Sequence, residues 1–423
     1  MLITSLHLEN YRCFDNFDIE FDPKLTVIIG PNGSGKTAVL DALAVFLERA
    51  NPSHTNQSLT IPVDDIRLNS EHEAIDYTIF LRLGTDEIIR EEAGECFTYK
   101  FIRDINNDTN LKLDGNRNVD LLDFNNKVKT LSVSYMAGRF LKEDAMKLTN
   151  QSTTHAAYYG KAFERQIDYN STLAWFNNLD ADEARTIRDD GNGYINPQLA
   201  ALREALSKAL LNKFEKPRMK GSPPELIVCG KGTNIQYKVS QLSDGYRAML
   251  SLIMDLARRM ATSPETYHTN AGAVLATPAI VLIDEIELHL HPSWQQTVLP
   301  TLLDIFPNTQ FIVTTHSPQI LSSIGKEKIR LLKDGHVFLT GEQTEGEEAS
   351  HILEDIFEVD SRPQNLQIVQ SLKRYSELVC DDQWDSPEAI KLYNALAEHF
   401  GHEYIKLKEL KMYIENRKWE REL

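Results

Sequence analysis

The sequence predicts an α/β fold that combines a mixed sheet with an inserted helical lobe and a C-terminal helical appendage. Two observations lead to the sheet. Residues 25–29 and 279–283 are almost entirely apolar, as in strands that are covered on both faces. Strands predicted at residues 226–228, 279–283 and 310–314 are each followed by polar residues and then by a helical pattern. This alternation is typical of a mostly parallel sheet.

The first 50 residues predict three strands, a glycine loop and a helix in succession. Residues 2–8 alternate with the period of two that a strand requires, and a second strand is predicted at 17–21. The buried strand at 25–29 continues directly into a loop at 30–37. The apolar residues of 38–50 then recur with helical spacing.

The next hundred residues predict a layer of antiparallel strands. Alternating patterns at 77–83 and 97–102 indicate a hairpin-like pair, and another strand is predicted at 131–137. Residues 105–118 are rich in Asn, Asp and Gly, so we expect a surface loop there.

Helical patterns divide the rest of the chain. They dominate residues 141–216 and return after Glu342, where helices are expected near 349–357, 366–379, 387–399 and 405–419. The predicted regions are 1–140 and 225–341 for the two parts of the α/β domain, 141–224 for the helical lobe and 342–423 for a partner-binding helical region.

Composition narrows the class of protein. The chain has 423 residues, with 45 Lys and Arg against 62 Asp and Glu, and a formal charge of −17. An acidic chain has no overall electrostatic reason to coat nucleic acid. The four cysteines form no C-x-x-C pair, so we expect them to be reduced and mostly buried. Neither a long apolar run nor an export leader is evident, which predicts a cytoplasmic protein outside the membrane.

The loop at 30–37 has the pattern Gly-x-x-x-x-Gly-Lys-Thr between a predicted strand and a helix. Its residues are Gly30, Pro31, Asn32, Gly33, Ser34, Gly35, Lys36 and Thr37. Glycines let backbone N–H groups turn toward phosphate oxygens, and the helix presents its positive end to the same charge. We expect Lys36 to bind the β- and γ-phosphates of ATP and Thr37 to bind Mg²⁺. The alternative is a glycine-rich turn that matches by chance.

Two carboxylates follow the apolar strand at 279–283. Asp284 and Glu285 lie where open parallel sheets bind ligands, at the carboxyl end of a strand. We expect Asp284 to hold Mg²⁺, directly or through water, and Glu285 to act as the general base on the attacking water. An ordinary strand that ends in acidic loop residues is the alternative.

Ser243 and Gly245 begin another predicted helix. A hydroxyl and bare backbone N–H groups at a helix N-terminus form a second phosphate-binding element. Ser-x-Gly before a helix is also a common cap, so this motif alone does not decide between the two interpretations.

Taken together, these motifs resemble the ATP-binding-cassette heads of the SMC and RecF-like ATPases. The resemblance covers residues 1–50 and 225–340, including the motif Thr315-His316-Ser-Pro. It implies a P-loop head that pairs head-to-tail. Ser243 and Gly245 of one copy would then contact the γ-phosphate held by Lys36 of the other.

The same resemblance implies roles for three further residues. His316 is similar to the switch histidine that senses the γ-phosphate, although a histidine at a strand end is otherwise a cap or a surface residue. Asp65 occupies the loop where the family often has a Gln that reaches Mg²⁺, so the chain departs from the pattern there. Arg12 is expected near the nucleotide, with a solvent-exposed arginine as the alternative.

What is attached to the head distinguishes the possible functions. The interval between Thr37 and Leu242 is too short for the long coiled coil of chromosome-organising relatives. The roughly 80 residues after Glu342 are too few for the nuclease domain of OLD-type relatives. The compact head and the tail at 350–363 resemble the PtuA ATPases of Septu-type and retron-linked anti-phage defence.

The PtuA resemblance implies a homodimer or a higher even-numbered oligomer. It also implies a separate HNH nuclease similar to PtuB as partner, and DNA contact through the complex. The alternative is a RecF-like DNA-repair ATPase that clamps duplex DNA directly. A transport ATPase coupled to membrane helices is a third possibility with little support.

Overall fold

A central parallel sheet organises the larger part of the molecule in this computed structural model. The structure describes residues 2–49, 60–67, 74–82, 94–104, 107–113, 130–137, 162–163, 169–190, 193–210, 214–221, 224–233, 235–263 and 270–422. It divides into two compact units, Met1–Ile352 and Leu353–Leu423. None of the described helices is long and apolar enough to span a membrane.

The strands and helices are numbered here in chain order. The strands are β1 (Leu2–Tyr11), β2 (Phe14–Glu20), β3 (Leu25–Ile29), β4 (Thr60–Pro62), β5 (Ala74–Arg82), β6 (Gly94–Asp104), β7 (Asn107–Leu113), β8 (Leu131–Tyr135), β9 (Phe214–Lys220), β10 (Glu225–Gly230), β11 (Gln236–Lys238), β12 (Ala279–Ile283), β13 (Thr309–Thr314), β14 (Ile329–Lys333) and β15 (His336–Phe338). The helices are α1 (Lys36–Arg49), α2 (Tyr169–Asp190), α3 (Pro197–Ala209), α4 (Asp244–Ala261), α5 (Ala271–Leu275), α6 (Pro292–Gln295), α7 (Val298–Ile305), α8 (Pro318–Leu321), α9 (Ala349–Asp355), α10 (Gln367–Cys380), α11 (Pro387–Phe400) and α12 (Ile405–Glu422).

The parallel sheet has the order β15-β14-β3-β13-β12-β8, and only β15 runs antiparallel to its neighbour. Every residue of β3, β8, β12 and β13 is buried. Burial of both faces explains why β3 and β12 lack the apolar and polar alternation of a half-exposed strand. The mixed α/β fold predicted from these apolar segments is confirmed.

A second sheet is antiparallel and has the order β2-β1-β5-β6-β7-β4. Its β5 and β6 form the predicted antiparallel pair. The surface loop expected at 105–118 is wrong in part, because β7 occupies Asn107–Leu113 and pairs with β6. Hydrogen bonds to a neighbouring strand override the low strand propensity of Asn and Asp.

A third sheet, β11-β10-β9, corrects two further expectations. The strand predicted at 226–228 lies in β10, which is antiparallel to both neighbours and outside the parallel sheet. The Gly230–Thr233 turn folds the chain back into β11, where the Gly230 N–H donates to the Ile235 carbonyl at 3.0 Å. The helical pattern expected up to residue 216 ends earlier, because β9 begins at Phe214.

The C-terminal unit is a small helical domain built on α10, α11 and α12. Its core consists of buried apolar side chains, namely Leu372, Tyr375, Leu378, Val379, Ala389, Leu396, Ala397, Leu407 and Leu410. The expectation of mostly buried cysteines is wrong for the described residues. Cys13 and Cys380 are exposed and Cys229 is half-buried.

A buried ion cluster joins α4 to the parallel sheet. Asp255 accepts hydrogen bonds from Arg258 at 2.7 Å, from Arg259 at 2.7 Å and from the Tyr135 hydroxyl at 3.0 Å. Tyr135 ends β8, and its carbonyl accepts the backbone N–H of Asp284 at 2.8 Å. The cluster therefore fixes α4 against the strand end that positions Asp284.

Replacing Asp255 by Asn should lower the free energy of unfolding by about 3–5 kcal/mol, because two buried guanidinium groups lose their counter-charge. Burial acts to raise the pKa of Asp255, but attraction to Arg259 and Arg258 outweighs it and lowers this pKa from 3.8 to about 2. A group with a depressed folded-state pKa stabilises the fold fully above its unfolded pKa and loses that effect as pH falls through the folded value. Urea unfolding should therefore show a smaller difference between wild type and variant at pH 3 than at pH 7.

Asp182→Asn is the matched control for this prediction. Asp182 and Arg185 form an exposed pair with side-chain exposures of 62% and 69%. Loss of this exposed ion pair should change the free energy of unfolding by less than about 1 kcal/mol. Equal effects of the two substitutions would show that burial of the Asp255 cluster has no energetic consequence.

Candidate active site

The loop at residues 30–37 connects the carboxyl end of β3 to the start of α1. Gly35 has a φ of +98°, and a Cβ atom there would lie 2.3 Å from Phe14 Cζ and 2.7 Å from Cys13 Sγ. Only glycine fits this conformation and this contact. The Ser34 N–H donates to the Pro31 carbonyl at 3.2 Å, which closes the turn.

Lys36 lies at the first position of α1 with its ammonium group turned back into the loop. Its Nζ donates to the carbonyls of Gly30 and Pro31, each at 2.9 Å. Burial lowers the pKa of Lys36, while nearby carboxylates act in the opposite direction. The loop thus holds a positive charge among carbonyl groups that phosphate oxygens could replace as its partners.

A cavity of about 270 Å³ opens at this loop and brings three separate parts of the chain together. One wall comes from the loop and α1, and the other comes from the ends of β12 and β13. The lining residues are Asn32, Gly33, Gly35, Lys36, Thr37, Ala38, Asp284, Glu285 and His316. The carboxyl ends of parallel strands therefore meet the phosphate loop, as open α/β sheets require.

Asp284 and Thr37 lie in contact across this cavity. The Thr37 hydroxyl donates to Asp284 Oδ2 at 3.1 Å, and the Thr314 hydroxyl donates to Oδ1 at 2.6 Å. A hydroxyl beside a carboxylate forms a set of hard oxygen donors, which is what Mg²⁺ prefers. These two residues therefore fit the metal that the sequence motifs imply.

Glu285 follows directly and has an unusual backbone conformation. Its φ is +46°, in the left-handed region that residues other than glycine rarely adopt. The Glu285 N–H donates to the Thr314 hydroxyl at 2.8 Å, which holds this conformation in place. Backbone strain of this kind is found at functional sites.

His316 lines the cavity from the end of β13. Its backbone N–H donates to Glu287 Oε1 at 2.7 Å. Burial and then the positive charge of Lys36 lower the pKa of His316 below its ordinary value. Three carboxylates act in the opposite direction, namely Glu287, Glu285 and Asp284. The charge of this imidazole therefore depends on which ions occupy the cavity.

Ser243 and Gly245 lie at the start of α4 and are absent from the residues that line the cavity. Ser243 is the N-cap and is exposed, and its side chain makes no capping hydrogen bond. A Cβ atom at Gly245 would lie 2.8 Å from the carbonyl oxygen of His289. The start of α4 therefore rests directly on the turn that follows Glu285.

Arg12 and Asp65 form an ion pair beside α1. Arg12 Nε donates to Asp65 Oδ1 at 2.7 Å, and Nη1 donates to Asp41 Oδ2 at 2.6 Å. Neither Arg12 nor Asp65 lines the cavity. The structure thus does not bring Asp65 to Thr37 and Asp284, and its metal role stays a prediction.

Sequence reasoning missed two residues of this site. Thr314 bonds both Asp284 and the backbone of Glu285, and Glu287 bonds the backbone of His316. Thr314 is the last residue of β13, next to the motif that contains His316, and Glu287 is the third carboxylate of the run Asp284-Glu-Ile-Glu287. Their positions beside recognised motifs were the available signal.

Known proteins match this chain over most of its length. The family model "AAA ATPase domain" matches residues 1–186, and the family model "AAA domain, putative AbiEii toxin, Type IV TA system" matches residues 120–322. The "Retron Ec83 probable ATPase" of Escherichia coli is 31% identical, with 99% of this chain and 87% of that protein covered. Septu protein PtuA of Bacillus thuringiensis is 22% identical, with 85% of each protein covered. The SMC head domain from Thermotoga maritima aligns with a TM-score of 0.45 and 17% identity over 80% of this chain and 97% of that domain.

Proposed function

This chain belongs to the family of the retron Ec83 ATPase, and we propose that it hydrolyses ATP at sites shared between two head-to-tail subunits. It is an ATPase of the SMC/RecF class, related to the retron and Septu ATPases, as its motifs predict. The magnesium site, the dimer and the role of each residue are parts of what we propose.

The proposal rests on the positions of the motifs, because some line the cavity and one lies at the surface. Lys36, Thr37, Asp284, Glu285 and His316 converge on one cavity. Ser243, the N-cap of α4, is exposed and is not among the residues that line that cavity. Because a helix N-terminus attracts phosphate, an exposed one can complete the cavity of a second copy.

Each cavity residue has a distinct role in the proposed reaction. Lys36 leaves the Gly30 and Pro31 carbonyls and binds the β- and γ-phosphates. Thr37 and Asp284 hold Mg²⁺, which supplies electrostatic stabilisation of the phosphate charge.

The two residues at the strand ends act on the γ-phosphate side of the cavity. Glu285 orients the attacking water and accepts its proton as general base. His316 donates a hydrogen bond to the γ-phosphate. Ser243 and Gly245 of the partner copy close the site over the same phosphate.

The relatives suggest what this cycle controls. Septu and retron ATPases match most of the chain. We propose, as the PtuA resemblance implies, that this protein acts in an anti-phage defence complex with a separate HNH nuclease, through which DNA is contacted. A RecF-like ATPase that clamps duplex DNA alone is the second candidate, and the charge of −17 weighs against it. Strong retention of duplex DNA by the purified chain without a partner would favour that candidate.

Mixing two inactive variants tests the shared site directly. Lys36→Ala damages the cavity of its own subunit, and Ser243→Arg damages only what that subunit gives to its partner. A mixed dimer would retain one intact site. An equal mixture should therefore recover about one quarter of wild-type ATPase activity, because about half of the dimers would be mixed.

A second mixture provides the control. Lys36→Ala and Glu285→Gln affect the same half of the site, so their mixed dimer has no intact site and should stay inactive. Equal recovery in both mixtures, or recovery in neither, would contradict the shared site. Turnover at full rate by a strictly monomeric chain would also contradict it.

A further inference from the structure

Glu287 has one oxygen bound and one oxygen without a described partner. Oε1 accepts the His316 backbone N–H at 2.7 Å. Oε2 is buried, and none of the residues that the structure describes donates a hydrogen bond to it. A buried carboxylate oxygen without a donor costs free energy, so this atom calls for an explanation.

The neighbourhood of Oε2 narrows the choice of donor. Lys36 is already engaged with two loop carbonyls. Oε1 is bound at the backbone nitrogen of His316, and Oε2 belongs to the same carboxylate. Among the charges that act on the His316 imidazole, Glu287 has the largest effect in favour of the protonated form. The charges that face this imidazole are Lys36 from α1, Asp284 and Glu285 from the end of β12, and Glu287.

We propose that Glu287 is a positioning residue that binds His316 at two points. Its Oε1 accepts the backbone N–H, and its Oε2 accepts a hydrogen bond from the imidazole Nδ1–H. This inference rests on the proposed role of His316 at the γ-phosphate. These two hydrogen bonds orient the imidazole so that Nε2 faces the cavity. It also stabilises the imidazolium, the only form in which both ring nitrogens donate hydrogen bonds.

The arrangement makes the charge of His316 respond to nucleotide. In the structure described here, burial and the Lys36 charge disfavour the imidazolium, and they lower the pKa of His316. Negative phosphate charge compensates Lys36, so the imidazole takes a proton from solvent. That proton completes the hydrogen bond to the γ-phosphate, while Glu287 holds the opposite side of the ring.

Histidine NMR on the nucleotide-free protein tests the Glu287 charge without relying on activity. The His316 signal is identified by its loss in His316→Gln. In Glu287→Gln, which keeps the size of the side chain, the His316 titration midpoint should move to lower pH. An unchanged midpoint would overturn the proposal.

Glu347→Gln is the matched control for the NMR experiment. Glu347 Oε1 bonds His351 Nδ1 at 2.6 Å in an exposed pair outside the cavity. Removing the Glu347 charge should affect the titration of His351 and leave the titration midpoint of His316 unchanged. If Glu287→Gln fails to fold, the wild type remains informative, because a non-hydrolysable ATP analogue with Mg²⁺ should raise the His316 midpoint. A midpoint that does not rise would overturn the proposal as well.

The pH dependence of kcat separates positioning from general damage. We expect Glu287→Gln to lower kcat about tenfold at pH 8 and less than about threefold at pH 6, with little change in KM. An equal loss of kcat at both pH values would show that Glu287 has only a structural role. If the wild type hydrolyses no ATP, the proposed function fails, while the nucleotide-free titration still decides the inference about Glu287.

Discussion

Glu285→Gln should lower kcat by about 10²–10⁴-fold while leaving ATP binding intact. The substitution keeps the size of the side chain and removes only its ability to accept a proton. Its backbone N–H would still donate to the Thr314 hydroxyl, so the strained conformation at this position should persist. The variant should accumulate as an ATP-bound dimer, because binding proceeds and release by hydrolysis does not.

Phosphate release and light scattering in the presence of ATP and Mg²⁺ measure the two parts of this result. Glu345→Gln is a suitable control, because Glu345 is exposed and lies outside the cavity. Retained turnover in Glu285→Gln would refute its assignment as the general base. A loss of turnover without an ATP-dependent dimer would refute the head-to-tail arrangement instead.

Lys36→Ala should weaken ATP binding by about 100-fold or more, with loss of all turnover. Two charge-assisted hydrogen bonds to phosphate contribute about 1.5–3 kcal/mol each, and alanine provides neither. The same change removes a positive charge that the three nearby carboxylates favour. Titration with a fluorescent ATP analogue measures the dissociation constant directly.

Lys326→Ala is the matched control for Lys36→Ala. Lys326 also donates to a backbone carbonyl, that of Gly341 at 2.8 Å, but it lies outside the cavity. The two variants lose the same type of hydrogen bond, and only one loses a phosphate ligand. Comparable ATP affinity in both variants would remove Lys36 from the binding site.

The parts of the fold that follow from contiguous sequence could be predicted. The apolar strands β3 and β12 are recognisable because burial on both faces requires a run of apolar residues. The Gly30 to Thr37 loop is recognisable because a phosphate-binding turn fixes both glycine positions and the lysine. These features depend on neighbours in the chain, which a single sequence shows.

Features that depend on distant partners could not be predicted. The strand β7 exists because β6 supplies its hydrogen bonds. The strand β10 lies between β9 and β11 rather than in the parallel sheet, because both of these neighbours pair with it. The Arg12–Asp65 pair spans 53 positions of the chain. The hydrogen bond from His316 to Glu287 likewise joins separate strand ends, so spacing along the sequence gives no access to it.

The contact between Gly245 and the His289 carbonyl has a consequence for the proposed dimer. A glycine that rests on a peptide oxygen has no side chain that could bend to absorb a movement. Any shift of the turn after Glu285 must therefore displace the beginning of α4 by a similar amount. In the proposed head-to-tail dimer, loss of the γ-phosphate from one pocket would therefore shift the helix end that the same subunit gives to its neighbour.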